Sequence, residues 1–432
     1  MENGIKKIHF IGIGGIGMSA LAQMLHEQGV AVTGSDRDAS PVTELLEHKG
    51  IRVIIGQKAE NVSQDAGMIV YSDAVPAENP ERARAKELSI PQLSYFAMLG
   101  EVSKGKKTVA VAGTHGKTTT TSMLAKIMKD AGVSPTAIVG SIVKDFGSNY
   151  VSGTSDIFIV EACEYRDHLL ELSPQILVIT NLEWDHTDYF PSLVALQETF
   201  KKAIARVPEN GVIITDLSNQ NIVPLLASAK APVVDYTKEL AYELRMPSAF
   251  NQNNARAAAA AARVILPTIT DTTISESLAS FQGTWRRFEY KGKTEKGAEV
   301  YDDYAHHPTA VKETLHALRT KTNGKIFVAF HPHLYSRTRD LLDDFATAFN
   351  DADKIFIAPI YAAREVDDGS ISSEILAERI RASGVDAVAL DTFDAIERAF
   401  DEAEQGDAIM TMGAGDIYKV ADALVQNKKP TP

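Results

Sequence analysis

An apolar run from Thr108 to Ala112 passes through Gly113-Thr114-His115-Gly116-Lys117-Thr118-Thr119 into a stretch with Met123, Leu124, Ile127 and Met128 at helical spacing, closed by Gly132. A strand that turns through glycines into a helix leaves backbone N–H groups unpaired and adds the positive end of the helix dipole. Such a turn is suited to holding phosphate. The closing Gly-Lys-Thr sharpens the reading: Lys117 is placed to reach the β- and γ-phosphates of a nucleotide, and the Thr118 hydroxyl to ligate Mg²⁺. Val111 stands where the general G-x-x-x-x-G-K-[ST] pattern has its first glycine, so the loop departs from that pattern. A unit of this kind needs a parallel sheet covered by helices, which makes the fold class α/β.

At 432 residues the chain exceeds what one core organises, and the strand–helix rhythm starts three times. The expected domains are 1–98, 99–282 and 283–432. Each is a largely parallel sheet with flanking helices: Rossmann-like at the N-terminus, P-loop ATPase-like in the centre, Rossmann-like at the C-terminus. Strands are expected at Ile8 to Ile11, Val30 to Thr33, Val53 to Ile55 and Met68 to Tyr71 in the first segment. The second has Thr108 to Ala112, Ile157 to Val160 and Ile176 to Thr180, then an Ala-rich helix from about Ala255 to Leu266. The third has Ile326 to Phe330, Lys354 to Ala358, Ala387 to Leu390 and Ala408 to Met412.

The first segment carries a second glycine loop, Gly12-Ile-Gly14-Gly15-Ile-Gly17, between a strand and a helix, with Asp36 at the end of the next strand. The pattern reports a diphosphate beside a ribose. It does not identify the base, so a nicotinamide dinucleotide and another nucleotide diphosphate both remain open, beside a turn that serves tight packing alone. The formal charge of −13 argues against nonspecific binding to nucleic acid or to anionic membrane, so anionic ligands must be held by local devices such as these loops. Cys163 is the only cysteine, which suits a reducing compartment. The start, MENGIKKIHF, lacks a signal-peptide pattern, and no stretch approaches the roughly 20 apolar residues of a membrane helix. A cytoplasmic protein without membrane insertion is expected.

Two further strands end in chemistry. Glu161 closes the run Ile157 to Val160, and Asn181 to His186 follow Thr180. Ligands bind at the carboxyl ends of parallel strands, so Glu161 and His186 are candidates, with Thr118, for holding a divalent metal. The bland alternatives are a solvated acid and a packed histidine.

Taken together, GTHGKTTT, IGIGGIGMSALA, EACEY at Glu161, NLEWDH ending at His186, Asn251 to Asn254, WRRFE around Arg287, DDYAHHP at Asp302 to Pro308, HPHLYSRTR, IYAARE and GAGDI resemble the Mur ligase family over nearly the whole chain. The resemblance implies a peptidoglycan-precursor ligase that uses ATP and Mg²⁺. GIGGIGM, DDYAHHP, IYAARE and GAGDI point to the branch that adds L-alanine to UDP-N-acetylmuramate through an acyl phosphate. It also implies roles: Lys117, Glu161 and His186 in catalysis, and Thr118, Glu161 and His186 at the metal. ATP would be held by Gly113, Thr114, His115, Gly116, Lys117, Thr118, Thr119, Asn254, Arg287 and Asp303. Gly14, Gly15, Gly17, Ser35, Asp36 and Ser72 would bind the UDP substrate, and His306 and Arg337 the amino acid. The third domain would close over ATP, and a monomer or weak homodimer is expected. Phe250 stands where this branch usually has His, Leu334 replaces an Arg that some members carry, and Trp184 is read as packing. The nearest rival is a ligase of the same family that recycles a murein tripeptide. A nicotinamide-dependent oxidoreductase would leave Lys117, Glu161 and His186 idle, and a nucleotide-binding regulator without turnover would leave the Asp, His and Arg set of the third domain unexplained.

Overall fold

A computed structural model describes residues 5–426 except 247; the ends of the first and third expected segments, 1–4 and 427–432, lie outside the described residues. Three sheets follow in chain order. The first contains β1 (Lys7–Ile11), β2 (Ala31–Asp36), β3 (Arg52–Ile55), β4 (Met68–Tyr71) and β5 (Gln92–Ser94), all parallel, in the order β3-β2-β1-β4-β5. Chain direction across the sheet reverses between β1 and β4. The crevice at their carboxyl ends is where open α/β sheets take ligands. The first glycine loop follows β1 and Ser72 follows β4.

The second sheet contains β6 (Lys107–Ala112), β7 (Thr136–Val143), β8 (Ser148–Val151), β9 (Ile157–Glu161), β10 (Ile176–Ile179), β11 (Val212–Thr215) and β12 (Val233–Asp235), in the order β12-β11-β10-β6-β9-β7-β8. Strand β6 is central, and its Val109 to Ala112 are fully buried, as a parallel strand covered on both faces requires. Its register sets Val111 beside Glu161 of β9 and Ala112 beside Ile179 of β10. The Gly113–Thr119 loop, Glu161 and the segment after β10 are thereby brought to one edge.

Strands β7 and β8 form an antiparallel hairpin that the hydrophobic pattern does not announce. It packs against the helix Ile16–Glu27 of the first segment through buried polar contacts. Asn149 Nδ2 donates to the Ile16 carbonyl at 2.6 Å and to Ser19 Oγ at 2.8 Å, and Gln23 Nε2 donates to Asn149 Oδ1 at 2.9 Å. Buried amides like these are costly unless paired, so the contacts specify one docking of that helix, and hence of the glycine loop before it, on the second sheet.

The third sheet contains β13 (Glu289–Lys293), β14 (Glu299–Asp303), β15 (Ile326–Phe330), β16 (Lys354–Ile357), β17 (Asp386–Ala389) and β18 (Ala408–Met412), in the order β13-β14-β18-β15-β16-β17. Only the edge strand β13 is antiparallel, and a core around Val328, Phe330, Phe345 and Met410 fills one face. The Ala-rich helix runs Ala249–Ile265, starting earlier than its alanines suggest.

The chain divides into two compact units. One comprises 1–183, 194–245 and 253–282, with the first two sheets; the other comprises 184–193, 246–252 and 283–432, with the third. Among the described residues, no helix is long and apolar enough to cross a membrane.

Candidate nucleotide and acid-binding sites

In the first unit, Gly113 (φ 128°) and Gly116 (φ 80°) hold conformations that L side chains rarely adopt. A Cβ at Gly113 would strike Thr180, and one at Gly116 would strike Asn254 Oδ1. The loop is braced from the end of β10: Asn181 Oδ1 accepts from His115 N at 2.9 Å, Thr180 Oγ1 donates to the His115 carbonyl at 2.5 Å, and Thr114 Oγ1 donates to the Glu183 carbonyl at 3.0 Å. His115 Nε2 also meets a Glu183 carboxylate oxygen at 3.3 Å. Gly116 caps the helix Lys117–Asp130, in which Thr118 and Thr119 are buried; Thr120 Oγ1 donates to Asn254 Oδ1 at 3.3 Å.

Lys117 Nζ donates to the Gly113 carbonyl at 2.5 Å and to a carboxylate oxygen of Glu164 at 3.0 Å. Burial pulls the ammonium pKa down, but Glu164, then Cys163 and Glu161, outweigh it and hold the pKa above its usual value. Glu164 lies in the EACEY motif without having been singled out for a role. The signal missed was that a buried acid three residues beyond a strand-end acid needs a cation.

Thr118 Oγ1 donates to Glu161 Oε2 at 2.9 Å, and Gly140 N donates to the same oxygen at 2.9 Å. Gly140 permits this, since a Cβ there would collide with the carboxylate. A hydroxyl and a carboxylate side by side at the start of a phosphate loop are the hard oxygen donors Mg²⁺ prefers, so these residues fit the ion that the resemblance implies. The glycine-rich turn, with a helix N-terminus that no side chain caps and with Lys117, likewise fits a triphosphate.

At the first glycine loop, Gly12 N and Ile13 N donate to the Ser35 carbonyl at 2.8 and 2.9 Å. Asp36 Oδ2 accepts from Gly14 N at 2.8 Å and Oδ1 from Arg37 N at 2.7 Å, so Asp36 braces the loop backbone. Beneath it, the buried Glu81 accepts from Ser35 Oγ at 2.8 Å and from Asn61 at 2.7 Å, and meets His9 Nε2 at 2.9 Å. Ser72 faces Gly12, where an added Cβ would come within 3.1 Å of the serine Cβ, and Gly17 faces Tyr95. Gly15 is the N-cap of the helix Ile16–Glu27.

The second unit holds His186, Arg287, Asp303, His306 and Arg337. NLEWDH is divided, with Glu183 in the first unit and Trp184 onward in the second. Trp184 Nε1 donates to the Phe190 carbonyl at 2.9 Å and its ring packs on the core, in keeping with a packing role. His186 sits at φ 53° with its N–H on Asp185 Oδ1 at 2.7 Å. Asp303 accepts from Phe288 N at 2.6 Å and Ala305 N at 2.7 Å; burial raises its carboxyl to about 6 against the pull of Arg287. Arg287 lies over the Tyr304 ring, 5.0 Å from its centre. Its neighbour Arg286 is buried and bonds Asp302 and the carbonyls of Gly413 and Gly415, which ties the WRRFE and GAGDI segments together.

Arg337, 2% exposed, donates through Nε to Asp185 Oδ1 at 2.7 Å and through Nη1 to His333 Nδ1 at 3.1 Å. Two of its three nitrogens are thus committed within the protein. Burial would raise Asp185, but Arg337, with His186, His307 and His306, holds it well below the carboxylate range. Burial and Arg337 together hold His306 well below the ordinary imidazole value, and His333 at about 3. His306 Nδ1 lies 2.9 Å from the Tyr304 carbonyl. Leu334 is fully buried at φ 74°, heading the helix Tyr335–Asp340.

Residues 7–107 match the Mur ligase family catalytic domain, 111–240 the Mur ligase middle domain, and 286–415 the Mur ligase glutamate ligase domain. The chain is 40% identical over 459 aligned positions to the UDP-N-acetylmuramate–L-alanine ligase of Acetivibrio thermocellus, covering 99% of this chain and 97% of that one. It is also 40% identical over 450 positions to the ligase of the same name from Clostridium botulinum, covering 97% of each. Among solved structures, the UDP-N-acetylmuramate-alanine ligase of Thermotoga maritima matches with a TM-score of 0.80 at 27% identity over 98% of each chain. A murein peptide ligase from Psychrobacter arcticus matches with a TM-score of 0.76 at 25% identity, over 97% of this chain and 98% of that one. The chain belongs to the Mur ligase family.

Proposed function

We propose that this protein is an ATP-dependent ligase that joins L-alanine to UDP-N-acetylmuramate in peptidoglycan precursor synthesis. The observation that carries the reading is the 40% identity, over 99% of the chain, to a ligase named for that reaction. The arrangement of Lys117, Thr118 and Glu161 agrees with it. ATP supplies the phosphoryl group that converts the muramoyl carboxylate into an acyl phosphate; the amine of L-alanine then displaces phosphate, leaving an amide, ADP and phosphate.

Gly113 to Thr119 and Lys117 cradle the phosphates and spread the negative charge of the transferring group. Thr118, Glu161 and His186 would hold Mg²⁺. Asn254, Arg287 and Asp303 serve the nucleotide, and His306 and Arg337 the amino acid. Gly14, Gly15, Gly17, Ser35, Asp36 and Ser72 form the UDP end of the acceptor site. Three working domains, 1–98, 99–282 and 283–432, a cytoplasmic location and small-molecule substrates complete the proposal.

The test is phosphate release from ATP and Mg²⁺ with UDP-N-acetylmuramate, run with L-alanine, with murein tripeptide and without amine. Release driven only by L-alanine is expected. Release driven only by the tripeptide would overturn this reading in favour of the recycling ligase, and release with neither would reject both.

A further inference from the structure

Gly17 has no side chain where Tyr95 needs the space: a Cβ there would stand 2.5 Å from Tyr95 Cζ and 2.6 Å from its hydroxyl oxygen. The tyrosine therefore lies against the first turn of the helix Ile16–Glu27, at the mouth of the first glycine loop. Burial, and then the charges of Glu161 and Cys163, keep the phenol protonated well beyond neutral pH, which also places Tyr95 within electrostatic reach of the Thr118–Glu161 pair. Tyr95 is half-buried, and its hydroxyl makes no hydrogen bond among the described residues.

The ring is held from behind. Tyr95 meets Phe96 edge-on at 4.7 Å, Phe96 stacks on His168 at 3.7 Å and 14°, and His168 Nε2 lies 2.7 Å from Asp73 Oδ2. Asp73 follows Ser72 after β4, so the string returns to the crevice beside β1. His168 is delivered by a turn in which Arg166 (φ 52°) and Asp167 (φ 62°) take left-handed conformations that non-glycine residues rarely adopt. The structure thus spends strain and a stacked aromatic pair on fixing a phenol between two ligand loops.

Resting on the activity proposed above, we infer that Tyr95 is a contact residue for the N-acetylmuramoyl group of the acceptor, donating a hydrogen bond to the sugar or its lactoyl arm. The acceptor's diphosphate belongs at the first loop and its reacting carboxylate near Lys117, Thr118 and Glu161. What connects the two is an uncharged, hydroxyl-rich ring with apolar faces. A fixed aromatic ring bearing a free donor recognises that chemistry.

Tyr95→Phe keeps the ring over Gly17 and removes only the hydroxyl. Calorimetric binding of UDP-N-acetylmuramate and of UDP, with KM values for all three substrates and the thermal midpoint, reads the effect. We expect about tenfold weaker binding of UDP-N-acetylmuramate, the loss of one well-made hydrogen bond. Binding of UDP, KM for ATP and for L-alanine, and the midpoint should stay unchanged. Unchanged affinity for UDP-N-acetylmuramate, or equal weakening for UDP, overturns the inference. Failure of the unmodified protein to bind UDP-N-acetylmuramate would instead reject the activity on which it rests.

Discussion

Lys117 Nζ lies 3.0 Å from a carboxylate oxygen of Glu164, whose side chain is 1% exposed. A carboxylate so deeply buried keeps its charge only beside a cation, and removing one partner of such a pair costs about 3–5 kcal/mol. On the proposed function, Lys117 has two tasks, binding phosphate and neutralising Glu164. Lys117→Ala is expected to lose turnover and also to lose about that much stability. The double variant Lys117→Met with Glu164→Gln removes both charges and should regain most of the stability without regaining turnover. Thermal unfolding and phosphate release on the three proteins check this. Wild-type stability in Lys117→Ala would contradict the buried-pair account, and near-normal turnover would contradict the assignment of the loop.

Gly116 combines a left-handed backbone with the close approach of Asn254 Oδ1. Gly116→Ala should displace Asn254, break its bond with Thr120 and distort the phosphate loop, so ATP binding should weaken at least tenfold while the acceptor site is spared. Titration with a non-hydrolysable ATP analogue, beside UDP-N-acetylmuramate, measures this; unchanged nucleotide affinity would show that the loop tolerates a Cβ.

Burial holds His331 at about 4, well below the 6.5 of a free imidazole. A group with a lowered folded pKa and an ordinary unfolded one takes up its proton on unfolding. The stability from keeping His331 neutral is complete above about pH 6.5 and is lost as pH falls toward 4. Asp303, raised to about 6, acts the other way, its contribution being lost as pH rises from 3.8 through 6. Replacing His331 by Asn should therefore reduce the rise in unfolding free energy between pH 5 and 6 by about 1 kcal/mol per pH unit. Denaturant unfolding of the two proteins at both pH values gives the slopes; parallel slopes would mean that His331 is not held neutral.

Burial and the neighbouring Glu164 push the Cys163 thiol up to about 12. Only about one thiol in ten thousand is then thiolate at pH 8, and thiolate is the reactive form. The folded protein should label slowly with a thiol reagent and the unfolded protein fast, and Cys163→Ala should keep its activity. Complete labelling of the folded protein within minutes would show a reactive thiol.

Strand and loop positions were legible where the signal is local. Met68–Tyr71, Ile326–Phe330 and Ala408–Met412 follow the apolar runs residue for residue, and Glu161 ends its strand at the loop edge as the pattern implied. What could not be read depends on partners distant in sequence. The β7–β8 hairpin exists to dock a helix more than 120 residues earlier, through Asn149 and Gln23, and polar residues buried for that purpose look like surface. The division of NLEWDH after Glu183 follows the pairing of Asp185 with Arg337, 152 residues away. Nothing local in sequence marks Tyr95, because the space for its ring is set by the missing side chain of the distant Gly17.

The proposed reaction is phosphoryl transfer to the muramoyl carboxylate followed by attack of L-alanine. UDP-N-acetylmuramate labelled with ¹⁸O in both carboxylate oxygens, incubated with ATP, Mg²⁺ and L-alanine, tests it by mass spectrometry of the products. One labelled oxygen should appear in inorganic phosphate and the other in the new amide. Unlabelled phosphate, or label in AMP, would contradict an acyl phosphate formed from the γ-phosphate of ATP.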